Sequence, residues 1–227
     1  MSVYVDSFCI GFLLGSTVVG LSIVLDRTVS RPSYVNMSIE DIHLYNQGVN
    51  ANIVNLCVLS PILYSILVTH IVRSQGLIPF HPDPTAVLSL VFVHNVFYYL
   101  VHKSFHTLNS FRGAHNFHHQ FDRLMLPSVG NAVSKREFVI AYVSPFYIGA
   151  LIIPCNEASL FCSVSIIALL NMAIHCKEFE ELPWIAWLVS PKKHITHHIE
   201  RTKHYSAPLI DFDEFLEKET VESVKNE

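Results

Sequence analysis

An all-α bundle embedded in a membrane is the fold class this sequence predicts, and three observations predict it. Only 15% of the 227 residues are Asp, Glu, Lys or Arg, against about 25% in an average soluble domain. Mean hydropathy is +0.37, too apolar for a globule that must cover itself with charge. Five long stretches contain no Asp, Glu, Lys or Arg at all. The same figures exclude a disordered or collagen-like chain. A net charge of -4 shows no basic excess, so nucleic acid is not an expected partner. The five cysteines lack C-x-x-C spacing, which argues against a disulfide framework or a cysteine metal site.

The charge-free stretches give the elements in order. Ser7 to Leu25 and Asn50 to Val72 span 19 and 23 residues. A hydrocarbon core about 30 Å thick needs roughly 20 apolar residues as helix, so both are expected to cross. The first has no Lys or Arg before it and no clear cleavage pattern after it, and reads as a retained anchor rather than a signal peptide. Thr85 to Val101 is 17 residues long, and its helix is expected to continue past Val101 into polar surroundings. Phe138 to Asn156 and Ala158 to Cys176 are 19 residues each, carry Pro145 and Pro154, and are parted by Asn156 and Glu157. They read as a tight helical hairpin that need not cross completely. The expectation is therefore four to five apolar helices.

Charge placement orients the bundle. If 26–49, 102–137 and everything after His175 share one side, 14 of the 15 Lys and Arg lie there and only Arg73 lies opposite. The positive-inside rule makes that side cytosolic. Asp211 to Glu227 holds seven acids and two lysines, the composition of a solvated end.

Fourteen histidines nearly equal the Lys and Arg together. His102 and His106 form H-x-x-x-H; His115, His118 and His119 form H-x-x-H-H; His194, His197 and His198 repeat it. Residues three and four apart share a helix face, so each box is expected to aim its imidazoles in one direction. At this histidine content one H-x-x-H-H arises by chance in about one chain in twenty, and two in about one in a thousand. Eight or nine imidazoles exceed the three or four of a single zinc site, so two metal ions are expected. No H-E-x-x-H is present, which removes the usual zinc hydrolase pattern. Imidazole suits iron, copper, nickel and zinc alike. His102 and His175 each leave an apolar stretch, which puts the metals at the cytosolic membrane boundary. An unactivated C–H bond presented there by a lipid calls for an oxygen-activating redox metal.

From about Asn95 to Leu216 these residues resemble the fatty acid hydroxylase / sterol desaturase superfamily of membrane di-iron enzymes. The order of boxes is similar, with lone His175 preceding Pro183-Trp184 between the second and third. Glu137 looks like the Glu that often follows the second box, and His204-Tyr205 and Phe212-Asp213 look like later family positions. The resemblance implies an O2-dependent enzyme holding two iron ions and acting on an unactivated C–H bond of a sterol or fatty acyl lipid. Desaturation at the same site is the alternative outcome, and a membrane zinc-binding protein is a further one. It also implies residence in the endoplasmic reticulum. Electrons would come from NAD(P)H through a separate reductase and b-type cytochrome. The chain then divides into N-terminal anchor helices (1–84), a histidine-box catalytic domain containing the hairpin 138–176 (85–216), and an acidic tail (217–227).

The expected ligands are His102, His106, His115, His118, His119, His175, His194, His197 and His198. Asn95, seven residues before His102, Glu137, and His204 are expected to orient them from outside. His70 and His94 lie in apolar stretches and are expected to hydrogen-bond within the bundle, while His43 and His81 are expected at the surface.

Overall fold

In a computed structural model of the chain, residues 2–73 and 81–216 are described; the acidic tail at 217–227 lies outside them. Apolar residues, chiefly Val, Ile and Leu with three aromatics, dominate α1 (Ser2–Thr28), which runs unbroken. After a short α2 (Arg31–Val35) comes α3 (Ile39–Asn52), opened by Ser38 and Asp41 in a reciprocal capping box. That box satisfies two end N–H groups that would otherwise be orphaned. The rod continues through π-helical turns at Ile53–Leu59 into α4 (Ser60–Leu67) and ends at Val72. Pro61 sits in the first turn of α4, and the wide π turns before it relieve the clash of its ring with the preceding backbone. The α1 helix crosses this rod closely: a Cβ on Gly15 would collide with the Leu56 carbonyl.

The third rod, α5 (Pro84–Thr107), is capped by Asp83. It carries the first histidine box past the end of the apolar stretch, as the sequence implies. A connecting region follows with α6 (Asn109–His115), a 3₁₀ turn at His118–Phe121, α7 (Pro127–Gly130) and α8 (Lys135–Glu137). The hairpin comes next. Its first arm is a π-helical segment Phe138–Val143 joined to α9 (Ser144–Ile152), and its second is α10 (Glu157–Ile174), capped by Asn156. Finally α11 (Pro191–Glu200), capped by Ser190, carries the last box.

Among the described residues, four helices are long and apolar enough to cross a membrane: Tyr4–Thr28, Ile39–Val72, Pro84–Thr107 and Glu157–Ile174. The apolar part of the first hairpin arm, Phe138–Ile152, rises only about 22 Å, less than a bilayer core. Outward residues such as Leu13, Leu88, Leu151 and Leu169 stay exposed, the pattern of a face that meets hydrocarbon. No strand occurs among the described residues.

The two ends of the bundle are chemically distinct. At one end Glu157 accepts from Ser7 Oγ (3.1 Å) and pairs with Arg73 (2.7 Å), while Asn156 donates to the His81 carbonyl (2.7 Å). His70 meets the Tyr4 hydroxyl at 2.9 Å. At the other end buried Asp26 accepts from Ser128 N (3.1 Å) and the Tyr45 hydroxyl (3.0 Å). Asn52 and Asn55 donate to the carbonyls of Ser128 and Val133. These bonds fix the 126–134 region against α1 and the α3 rod, just beneath the histidines.

Candidate metal centre

All nine expected ligand histidines meet at this second end, in two groups. His102, His106, His115, His119 and His197 form one; His118, His175, His194 and His198 form the other. Within each group the candidate ligand atoms lie within 4.8 Å of one another. Every member except His106 is buried.

The boxes do not map one to one onto the groups. The second box was expected on a single helix face, but α6 ends at His115 and the chain tightens into the 3₁₀ turn at His118. That break sends His115 and His119 to the first group and His118 to the second. The last box does lie on one helix, α11, yet it is shared too. His194 and His198, one turn apart, enter the second group, while His197 enters the first.

Ring orientation is set from outside. His102 Nδ1 lies 2.7 Å from the Tyr205 carbonyl, His197 Nδ1 2.8 Å from that of Lys203, and His175 Nδ1 2.7 Å from that of Asn171. His118 Nδ1 is 3.3 Å from the Ala132 carbonyl. A carbonyl only accepts, so each of these nitrogens is the N–H donor. A neutral imidazole has one N–H, so Nε2 of all four rings carries a lone pair. His118 Nε2 and His197 Nε2 are buried without a partner. Carboxylates serve other rings: Glu137 Oε1 sits 2.6 Å from His115 Nδ1, and Asp122 Oδ1 sits 3.1 Å from His119 Nδ1 and 2.9 Å from His198 Nδ1.

Burial, reinforced by neighbouring imidazoles, holds His115, His118, His194, His197 and His198 well below the ordinary histidine range. Burial brings His175 down to about 4. These rings are therefore neutral at pH 7, the form that ligates a metal. Several Nε2 atoms already approach in pairs: His102 and His115 at 2.9 Å, His175 and His194 at 2.9 Å, His106 and His119 at 3.3 Å. Converging neutral donors with unspent lone pairs fit a cation at the centre of each group. Burial also pushes Glu137 well above the usual carboxyl range; a cation across the His115 ring would favour its ionised form.

Three further residues take part differently from expectation. Asn95 does not orient an imidazole. Its Oδ1 accepts from Leu209 N (3.0 Å) and Ile210 N (3.4 Å), and its amide donates to the Val91 carbonyl. The expected helix face is right, but the strap 201–216 reaches the side chain first, so Asn95 fixes the segment that offers the Lys203 and Tyr205 carbonyls. His204 belongs to neither group; it has φ 57° and a buried Nδ1 with no partner. His94, expected to hydrogen-bond, has no partner on either ring nitrogen.

Sequence reasoning missed Asp122, which touches both groups and also pairs with Arg201. Its spacing three residues after His119 was the available signal. The four carbonyl acceptors leave no trace in side-chain identity.

Residues 87–217, over half the chain, match the family model described as Fatty acid hydroxylase. No curated protein and no solved structure matches. Four apolar helices, two convergent histidine groups and this match agree: the chain belongs to the fatty acid hydroxylase family, a family of oxidoreductases within the fatty acid hydroxylase / sterol desaturase superfamily.

Proposed function

We propose that the chain is a di-iron, O2-dependent monooxygenase that hydroxylates an unactivated C–H bond of a sterol or fatty acyl lipid. The observation that carries this reading is the division of nine histidines into two adjacent groups whose rings are pinned from outside by carbonyl and carboxylate acceptors. His102, His106, His115, His119 and His197 would hold one ion, and His118, His175, His194 and His198 the other. Bound iron would supply the oxygen-activating redox chemistry that side chains lack.

The protein's own contributions follow from the geometry. The Tyr205, Lys203, Ala132 and Asn171 carbonyls keep a proton on Nδ1 and so direct Nε2 inward. Glu137 and Asp122 do the same for His115, His119 and His198. Fixed acceptors of this kind raise ligand basicity and remove the entropy of ring rotation. Burial excludes bulk water from the four-histidine group and from every member of the other except half-buried His106. The groups lie at the end of α5 and α10, so a lipid can approach through the bundle without entering water.

The same reading places the protein in the endoplasmic reticulum with the histidines cytosolic, on the side that holds 14 of 15 Lys and Arg. Electrons would arrive from NAD(P)H through a separate reductase and b-type cytochrome. The test is expression with and without His197→Ala/His198→Ala, followed by metal analysis and untargeted lipid mass spectrometry. About two irons per chain and an O2-dependent product one oxygen heavier are expected. Stable zinc, or a product lighter by two hydrogens, would replace the reading with the zinc or desaturase alternative.

A further inference from the structure

The two H-x-x-H-H boxes continue alike. Three residues after the last imidazole of each stands a charge: Asp122 after His119, and Arg201 after His198. Equivalent positions of the repeat thus carry opposite charges, and in the fold they meet as an ion pair. The pair lies between the two histidine groups, and its atoms divide the work. Asp122 Oδ1 accepts from His119 Nδ1 (3.1 Å) and His198 Nδ1 (2.9 Å), one ring from each group. Asp122 Oδ2 accepts from Arg201 Nη2. The same Nη2 donates to the His119 carbonyl (3.3 Å), and Nε donates to the His198 carbonyl (3.4 Å). One guanidinium therefore grips the ends of both boxes together with the carboxylate that orients a ring from each.

The backbone at Arg201 points the same way. Arg201 closes α11 at φ 60°, its N–H bonded to the His197 carbonyl at 2.7 Å. That left-handed conformation favours glycine and is costly for a long side chain. Glycine would end the helix without strain, so capping alone does not call for arginine. Asp122 keeps a fifth of its side chain in solvent, and a fixed second oxygen is what stops it turning away from the rings. Glu137, the other carboxylate behind a ring, is held by burial and serves His115 alone.

We propose that Arg201 is a positioning residue that sets His119 and His198 together through Asp122 and so couples the two groups. The proposal rests on the two-metal reading and adds what ties the sites to one another. The planar fork matters as well as the charge, because a lysine would pair with Oδ2 without holding both carbonyls. Without the fork, Asp122 Oδ1 turns from both rings at once. A single change outside either group then loosens both.

The test is anaerobic titration of the chelator-treated full chain in nanodiscs with cobalt(II), followed by its absorption bands. The unsubstituted chain is expected to take up about two ions in two steps. Arg201→Gly, which suits φ 60° and keeps the cap, is expected to weaken both steps about tenfold. Arg201→Lys is expected to fall between the two. Arg201 is half-exposed, so millimolar guanidinium, far below denaturing levels, reaches the same place and is expected to restore both affinities of the glycine variant. A lost helix cap would not respond to it. In an Asp122→Ala background, Arg201→Gly is expected to change either step less than about twofold, since the path through the carboxylate is already cut. Should the glycine variant fail to fold, Arg201→Lys carries the same cycle. Unchanged steps, a loss confined to one step, a loss that guanidinium leaves in place, or full additivity with Asp122→Ala would overturn the inference. Failure of the unsubstituted chain to bind cobalt would sink the two-metal reading itself, whereas two intact steps indifferent to Arg201 would sink only this inference.

Discussion

The two histidine groups are built from the same residue type and share two of the three boxes, but they differ in closure. The five-membered group includes half-buried His106 and rests on Glu137 and on the Tyr205 and Lys203 carbonyls of the C-terminal strap. The four-membered group is wholly buried and rests on Ala132 and Asn171, inside the bundle. The first group is thus held by a segment that crosses the surface, and the second by helices and the 126–134 region that α1 and α3 hold in place. Because α11 and the second box deal histidines alternately to both, neither group can assemble without the other. Asp122 is the side chain that physically joins them, through His119 and His198.

The largest effect expected from this arrangement is loss of a buried ligand. His118→Ala removes an Nε2 from the closed group. On the proposed reading activity falls at least about a hundredfold, and iron content drops from about two per chain to one or fewer by plasma emission spectroscopy. Retention of two tightly held irons in this variant would show that the closed group is not a site.

Next come the acceptors behind the rings, which separate the groups. Asp122→Asn touches His119 in one group and His198 in the other. It is expected to weaken both steps of a metal titration by about ten- to a hundredfold. Glu137→Gln touches only His115 and is expected to weaken one step by about tenfold. Equal effects of Glu137→Gln on both steps would show that the groups behave as one site.

How much of this was legible beforehand depends on what side-chain identity encodes. Charge-free stretches mark helices because a bilayer tolerates no exposed charge, so α1, the α3 rod, α5 and α10 were readable. The histidine spacing marked the residues that converge, because it needs no tertiary information. The partition was not readable: it turns on α6 stopping at His115, and nothing in Asn116-Phe117 announces a 3₁₀ turn. Nor were the acceptors, since four of them are backbone carbonyls that any residue could supply. Asn95 shows the intermediate case. Its face was correct, but its partner was chosen by the strap, which returns from 114 residues away.

Acid sensitivity should follow the buried rings. Burial lowers His175 to about 4 from 6.5, and His118, His194 and His198 move the same way. The unfolded chain therefore binds protons that the folded chain refuses. The metal-free protein should keep its full stability above about pH 6.5 and lose it progressively as pH falls toward 4. For His175 alone the loss is about 3 kcal/mol at the acid end. Thermal unfolding of chelator-treated protein across that range provides the measurement. A Tm that is flat between pH 7 and 4 would mean the closed group opens to solvent.

The smallest effect isolates the closed group without touching a histidine. Gly130 ends α7 with its Cα against the His175 ring, and a Cβ there would lie 2.5 Å from His175 Cγ and 2.7 Å from its Cβ. Gly130→Ala must therefore move something. The 126–134 region is tied by Asp26, Asn52 and Asn55, so the ring is the softer partner. Tilting it strains the bond from His175 Nδ1 to the Asn171 carbonyl and turns Nε2 away from His194. A cost of about 1–3 kcal/mol in stability is expected from this overpacking. The metal step assigned to the five-membered group should stay as it was, because the three atoms nearest that Cβ all belong to His175. If the alanine variant instead weakened both steps alike, the 126–134 region would be yielding as a whole, and the contrast between a surface-held and a core-held group would collapse.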